Sequence, residues 1–337
     1  MASRCAIAQG KTARLLLGFS IFFLLSGPAL PAARAITVWL DTDASIGSPI
    51  REVDDAFAVL LALKCSNLRI AGISTTYGNA SLRTTTAVTT DLIGRFGGQV
   101  SMVHPGARAR TDLGVGTAAT EALAKALREN RKVIYVALGP LTNLATFEIL
   151  HPKLARQIHR VVFIGGQTEN TSLRFGSRHP IQIHDANVFK DPEAVRRVLQ
   201  ANIPVALIPV ETASQITVDA EAIEIIGRSS DSGHFLRKNS RVWLWFWTKY
   251  VGTSGGPLFD AAAVVAAANP AMLRWERSHA AIDSAGNLII SKKPMPRSRT
   301  VSYCPGFTRP AGSFVRHKLV GPIPKDHPPA HPRDRHP

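Results

Sequence analysis

The sequence predicts an α/β protein, a doubly wound, mostly parallel sheet flanked by helices, and three observations carry that expectation. Short runs dominated by apolar residues recur along the chain, stretches with helical spacing separate them, and polar residues gather where each run ends. Strands that are apolar on both faces must be covered on both faces, which is the condition of a parallel sheet sandwiched between helices.

The apolar runs are ITVWL (36–40), LRIAGIST (68–75), KVIYVAL (132–138), HRVVFIGG (159–166) and IPVALIPV (203–210). Amphipathic or Ala-rich stretches at 54–64, 82–96, 116–129, 141–150 and 191–200 supply the intervening helices. Right-handed crossovers between parallel neighbours then wind the sheet. No repeat or linker interrupts the chain before about residue 290, so residues 36–290 read as one domain. With 45% hydrophobic residues in a chain of 337, there is enough apolar material for one large core.

Both ends separate from this domain. In residues 1–35, Arg4, Lys11 and Arg14 precede an apolar run from Leu15 to Leu25 and then small residues ending Ala33-Arg34-Ala35. That pattern is a secretory signal peptide cleaved before Ile36, which predicts a periplasmic or secreted protein. The run is shorter than the roughly 20 residues a spanning helix needs, so no stable membrane span is expected after cleavage. Residues 291–337 read as a basic Pro/His-rich tail, partly disordered. The signal segment carries four basic and no acidic residues and the tail ten basic and two acidic, so most of the formal charge of +16 lies outside the domain. Specific nucleic-acid binding is therefore not expected. Cys5 leaves with the signal; Cys65 and Cys304 either form one bridge or remain two buried thiols.

In an open parallel sheet, ligands sit beyond the carboxyl ends of the strands. Asp41 and Asp43 follow the first run directly, Thr75 to Asn79 the second, Gly139 to Asn143 the third and Gly165 to Asn170 the fourth. Asp54 and Asp55 open the next helix, where a carboxylate caps free N–H groups and meets the positive end of the helix dipole. That accounts for one aspartate, not for four. Crowded carboxylates raise each other's pKa unless a cation lies between them. Oxygen ligands without a His or Cys cluster point to calcium or magnesium rather than zinc, and calcium better accepts an irregular shell completed by substrate hydroxyls. Such an ion orients a vicinal diol and a water that a neighbouring carboxylate can deprotonate, which suits hydrolysis at an anomeric carbon.

At these residues the chain resembles the inosine-uridine-preferring nucleoside hydrolase family, whose opening motif reads DxDxGxDDAxA. Here it reads DTDASIGSPIREVDDAFAVLLAL (41–63), followed in family order by STTYGNA (74–80), VALGPLTNLA (136–145), VVFIGG (161–166), DANVFKDPEA (185–194) and LFDAAAVVAAANP (258–270). The resemblance implies a ribonucleoside N-glycosidase yielding free base and ribose. It implies Ca2+ held by Asp43, Asp55, Asp260 and the carbonyl of Leu138, with Asp43 also the general base. Asp54 would hold the ribose 2′-hydroxyl, and Asn79, Asn170, Asp185 and Asn187 would face the sugar. The partner implied is a small nucleoside, purine or pyrimidine, with a homo-oligomer allowed.

Three departures stand out. Asp43 and Asp54 are separated by seven residues more than in the family motif, so ASIGSPIREV must bulge while both ends return to the metal. Phe259 precedes Asp260 where some relatives carry a histidine that protonates the leaving base. Acid catalysis then falls to another group such as His184, or the base leaves with help from stacking on an aromatic ring. Trp243, Trp245, Trp247 and Tyr250 are near in sequence, although their spacing cannot place all three tryptophans on one helical face. Third, the chain after about Asn287 offers little that matches the family's closing helix. Two other readings remain open: an exported, non-catalytic nucleoside- or sugar-binding protein, and a DxD-type magnesium phosphatase, for which the later Lys and Gly-Asp pattern is missing.

Overall fold

The computed structural model describes residues 35–48, 51–98, 100 and 102–324, which belong to one unit, Arg34–Pro337. The expected signal segment and the last residues of the expected tail lie outside the described residues. The chain begins β1 (Ile36–Thr42), α1 (Asp54–Lys64), β2 (Leu68–Thr75), α2 (Leu82–Phe96), β3 (Val103–Pro105), α3 (Ala118–Glu129) and β4 (Val133–Ala137). It continues α4 (Thr142–Leu150), α5 (Pro152–Ala155), β5 (Ile158–Ile164) and β6 (Gln167–Thr168). A hairpin of β7 (Arg174–Phe175) and β8 (Ile181–Gln182) leads to α6 (Ala186–Lys190), α7 (Pro192–Gln200), β9 (Val205–Ile208) and α8 (Val210–Ala213). Next come β10 (Thr217–Val218), α9 (Ala220–Ser229) and α10 (Asp231–Trp245), which runs into a π-helical turn, Phe246–Val251. Last are β11 (Gly256–Pro257), α11 (Ala261–Ala268), β12 (Leu273–Ile282), β13 (Leu288–Ser291), β14 (Arg299–Phe307) and α12 (Ala311–Val320).

Ten strands form the main sheet in the order β3-β2-β1-β4-β5-β9-β14-β12-β13-β6. From β3 through β14 every neighbouring pair is parallel; β12 is antiparallel to both β14 and β13. This is the predicted mostly parallel sheet, and each of the five apolar runs is one of its strands. Side chains alternate across a strand, so consecutive apolar residues feed two separate cores. Val38 and Leu40 enter one core with α1, α11 and α12, whereas Trp39 enters the other with α3, α4 and α7. The same division separates Val136 from Tyr135 and Val162 from Phe163.

Helix α1 is buried along its entire length, and so is α11, with the sequence AAAVVAAA. Small side chains on α11 let it lie close against α1, and both helices deliver their first turns to the carboxyl edge of the sheet. Cys65 and Cys304 are free, buried thiols, pushed up to about 11 by burial.

The domain boundary expected at residue 290 does not hold. β14 lies inside the sheet between β9 and β12, and α12 buries Ala311, Val315 and Leu319. These strands escape a search for apolar runs because antiparallel strands bury alternate residues. In LRWERSHAAI, Arg274, Glu276 and Arg277 are exposed while Leu273, Ser278 and Ala280 are buried. Of the expected tail, residues 291–324 therefore belong to the folded domain. A chain ended after Lys292 would expose both β9 and β12 as unpaired edges. We expect it to lose the cooperative thermal transition of the full chain by circular dichroism; a sharp transition within a few degrees of the full chain's would show β14 to be dispensable.

Candidate metal and sugar site

The carboxyl end of β1 places Asp41, Thr42 and Asp43 at the sheet edge, all buried. Asp41 is turned into the scaffold. Its Oδ1 accepts from Ser74 Oγ (2.6 Å) and Asn143 Nδ2 (2.8 Å), while Asn143 Oδ1 accepts from Ala107 N (2.8 Å). Burial raises the Asp41 pKa, and these donors pull it back. Asp41 therefore ties β1, β2 and α4 together and is not part of the cluster.

Asp43 accepts from the Asn79 backbone N–H (2.7 Å) and from Asn79 Nδ2 (3.3 Å), which also donates to Asp55 Oδ2 (3.0 Å). Asp55 Oδ1 accepts from Thr42 Oγ1 (2.5 Å) and from the Asp43 backbone N–H (3.1 Å). Gly78 is required here, since a Cβ on it would fall 1.7 Å from Asp43 Oδ2. Asp54 and Asp55 lie in the first turn of α1, and Asp260 occupies the residue just before α11. Each of Asp54, Asp55 and Asp260 offers a carboxylate oxygen within 4.8 Å of the others. Four buried aspartates thus meet where two helix N-termini converge, a setting that favours negative charge.

The electrostatics of the cluster favour a bound cation. Burial, then the charge of Asp55, lifts Asp43 well above the usual carboxylate range. Burial, then Glu52 and Asp55, does the same to Asp54, and burial, then Asp54, Asp55 and Asp43, to Asp260. Asp55 is also raised by burial, against which its hydrogen bonds act. No Lys or Arg forms an ion pair with these groups among the described residues. A hard divalent cation fits a donor set of this kind. Asp54, Asp55 and Asp260 bring oxygens close enough to share one ion, and Asp43 is held beside Asp55 by the Asn79 amide.

The sugar-facing expectations divide. Asn187 donates to the carbonyls of Leu138 (3.0 Å) and Ile164 (3.2 Å), which brings Asn187 and the Leu138 oxygen to the same edge. Asp185 caps α6 through Val188 N (3.2 Å) and accepts from Gly166 N (2.5 Å); burial lifts its pKa to about 6. Asn170 is not brought to the cluster: it is exposed and holds a left-handed φ of 64° in a turn closed by the Thr171 N–H on the Thr168 carbonyl. His184 is exposed beside Phe189, with no hydrogen bond to the aspartates among the described residues.

Phe259 packs edge-on against Phe175 (6.3 Å, 87°) and Trp247 (6.5 Å, 64°), making an aromatic wall next to Asp260. The tryptophans separate as their spacing requires, with Trp243 and Trp247 buried and Trp245 58% exposed. The sequence reading missed Glu52. Its carboxylate accepts from Trp243 Nε1 (2.7 Å), and its charge acts on Asp54. An acidic residue two positions before the Asp pair was the available signal.

The sequence profile described as inosine-uridine preferring nucleoside hydrolase matches residues 38–304. A probable ribonucleoside hydrolase of Dictyostelium discoideum is 25% identical over 301 residues, covering 76% of this chain and 84% of that protein. The pyrimidine-specific ribonucleoside hydrolase RihA of Citrobacter koseri is 29% identical over 258 residues, covering 66% and 79%. Among solved structures, a plant nucleoside hydrolase superposes with a TM-score of 0.72 at 22% identity, covering 86% of this chain and all of that one. The purine-preferring ribonucleoside hydrolase of Gardnerella vaginalis superposes with a TM-score of 0.69 at 18% identity, covering 84% and 98%.

The raised carboxylates make stability depend on pH in a definite direction. Between the ordinary carboxylate pKa and the raised folded value, the folded chain binds more protons than the unfolded chain, so metal-free stability falls as pH rises. A divalent cation replaces those protons and binds more tightly as they leave. Adding it at about 100 times its dissociation constant stabilises the fold by about 2.7 kcal/mol. The gain in Tm on adding calcium to chelator-treated protein should therefore be larger at pH 8 than at pH 5. Equal gains, or none, would count against a cation at this cluster.

Proposed function

Because the chain belongs to the inosine-uridine preferring nucleoside hydrolase family, it hydrolyses the N-glycosidic bond of ribonucleosides, and we propose that it does so with calcium held at the carboxyl-edge aspartates. The observation that carries this reading is the buried convergence of Asp54, Asp55 and Asp260, with Asp43 joined to Asp55 through Asn79, inside the stretch 38–304 that matches the family. Calcium, when bound, supplies positive charge that orients the 2′ and 3′ hydroxyls and acidifies a water. Asp55, Asp260 and the Leu138 carbonyl would hold it, together with Asp43.

The remaining chemistry belongs to side chains of this chain. Asp43, fixed at both oxygens by Asn79, takes a proton from the attacking water as general base. Asp54 accepts from the ribose 2′-hydroxyl, while Asp185 and Asn187 face the other hydroxyls and hold the sugar as its ring flattens toward an oxocarbenium ion. The aromatic wall of Phe175, Trp247 and Phe259 excludes water from the side where the base departs. The signal-like residues 1–35 support export to the periplasm or medium.

A non-catalytic nucleoside-binding protein is the second reading, motivated by Phe259. Incubating the protein with inosine, uridine and p-nitrophenyl riboside in calcium separates the two: release of base or nitrophenol supports the hydrolase, and binding without release supports the receptor. Asp43→Ala should lower kcat by about 10²–10⁴-fold, and Asp55→Ala should abolish turnover, with the circular dichroism spectrum unchanged in both. Undiminished turnover in Asp43→Ala, any turnover in Asp55→Ala, or turnover that survives exhaustive chelation would falsify the calcium assignment. Asp54→Ala should chiefly cost discrimination between ribosides and 2′-deoxyribosides.

A further inference from the structure

On the edge of the sheet away from the aspartates lies a cavity of about 490 Å³, within the size range of small-molecule pockets. β14 begins there at Arg299, running parallel to β9, and the carboxyl end of α7 closes one side. Among the lining residues are Arg196, Gln200, Asp283, Ser284, Arg297 and Arg299.

The three arginines are short of counter-charge. Asp283 is the one carboxylate in the lining among the described residues, and it is closed on its own turn: it accepts from Ala285 N (2.9 Å), Asn287 N (2.8 Å) and Asn287 Nδ2 (3.2 Å). Arg196 pairs with Glu193 at 2.9 Å, but the pair is exposed, and such pairs are weak. Arg297 makes no ion pair or hydrogen bond among the described residues and sits at a φ of 59°, a left-handed corner where glycine would be at ease. Arg299 gives Nη1 to the carbonyls of Leu199 and Ala201 at the end of α7. Helix capping explains that one nitrogen; its Nε and Nη2 have no hydrogen-bond partner among the described residues.

We propose that this cavity binds a small molecule through a phosphate group. Guanidinium forks match phosphate oxygens in pairs, and three arginines lining one cavity supply the positive charge such a group needs. Gln200 and Ser284 add neutral groups suited to hydroxyls beside the phosphate. The site is separate from the aspartate cluster and does not rest on the reaction assigned there.

Calorimetric titration of the full chain in EDTA, once with inorganic phosphate and once with ribose 5-phosphate, tests the proposal. Both ligands should saturate one site, and Arg196→Gln/Arg297→Gln should weaken them at least about tenfold while leaving nucleoside hydrolysis unchanged. Arg299→Lys, which keeps charge but loses the fork, should also weaken binding. Tighter binding of ribose 5-phosphate would identify a sugar phosphate as the ligand class, and equal binding free phosphate. Failure of both ligands to saturate, or undiminished binding in the double variant, overturns the proposal.

Discussion

Everything at the carboxyl edge of this sheet depends on burying several carboxylates together. Two unit charges 4 Å apart repel by about 4 kcal/mol at the effective dielectric of a protein surface region. Asp43, Asp54, Asp55 and Asp260 are nearly inaccessible to water, so the cluster needs either protons or a cation. Part of the opposing field comes from the backbone. α1 and α11 start at this point, and the partial positive charge of each N-terminus faces the acidic side chains. The packing that brings those two starts together is apolar: a helix buried along its length against another made of Ala and Val.

The rest of the site is a hydrogen-bonded frame that keeps this charge in place. Asn79 bridges Asp43 and Asp55, Thr42 holds Asp55, and Asn143 locks Asp41 to the β2 and β3 edge. Asn187 reaches from α6 to the carbonyls that end β4 and β5. Neutral amides and hydroxyls serve here because they donate without cancelling the charge that a metal requires. Removing a donor would strand a buried acceptor, which costs more than the bond itself contributes.

How much of this could be read from the sequence follows from the period of burial. Strands buried on both faces, such as VVFI in β5, appear as continuous apolar runs, and the helices between them show their own period. The aspartates were legible because carboxylates at a strand end have few bland explanations. β12 and β14 were not, since about half their residues are not fully buried and their pairing is set by distant partners. Asn170 was misplaced because a sugar contact depends on a loop's path, and here the path turns outward. Glu52 was missed because its role depends on Trp243, distant in the chain and brought near by α10.

The enlarged loop between Asp43 and Asp54 shows why chain separation is a weak guide to this site. Lengthening the connection from about four to about eleven residues costs about 0.9 kcal/mol of closure entropy. Burying an aliphatic side chain of the size of Val or Ile recovers about 1.5–3 kcal/mol, and the loop buries both Ile46 and Val53. Ser45 Oγ donates to the Glu52 carbonyl (3.0 Å) and Arg51 to the Asn79 carbonyl (2.7 Å), so the loop is pinned at its base and to the turn that holds Asp43. The aspartates stay in register because β1 fixes one end and the buried α1 fixes the other. An insertion between two such anchors changes what covers the site while leaving the positions of the charged groups to the sheet and the helix.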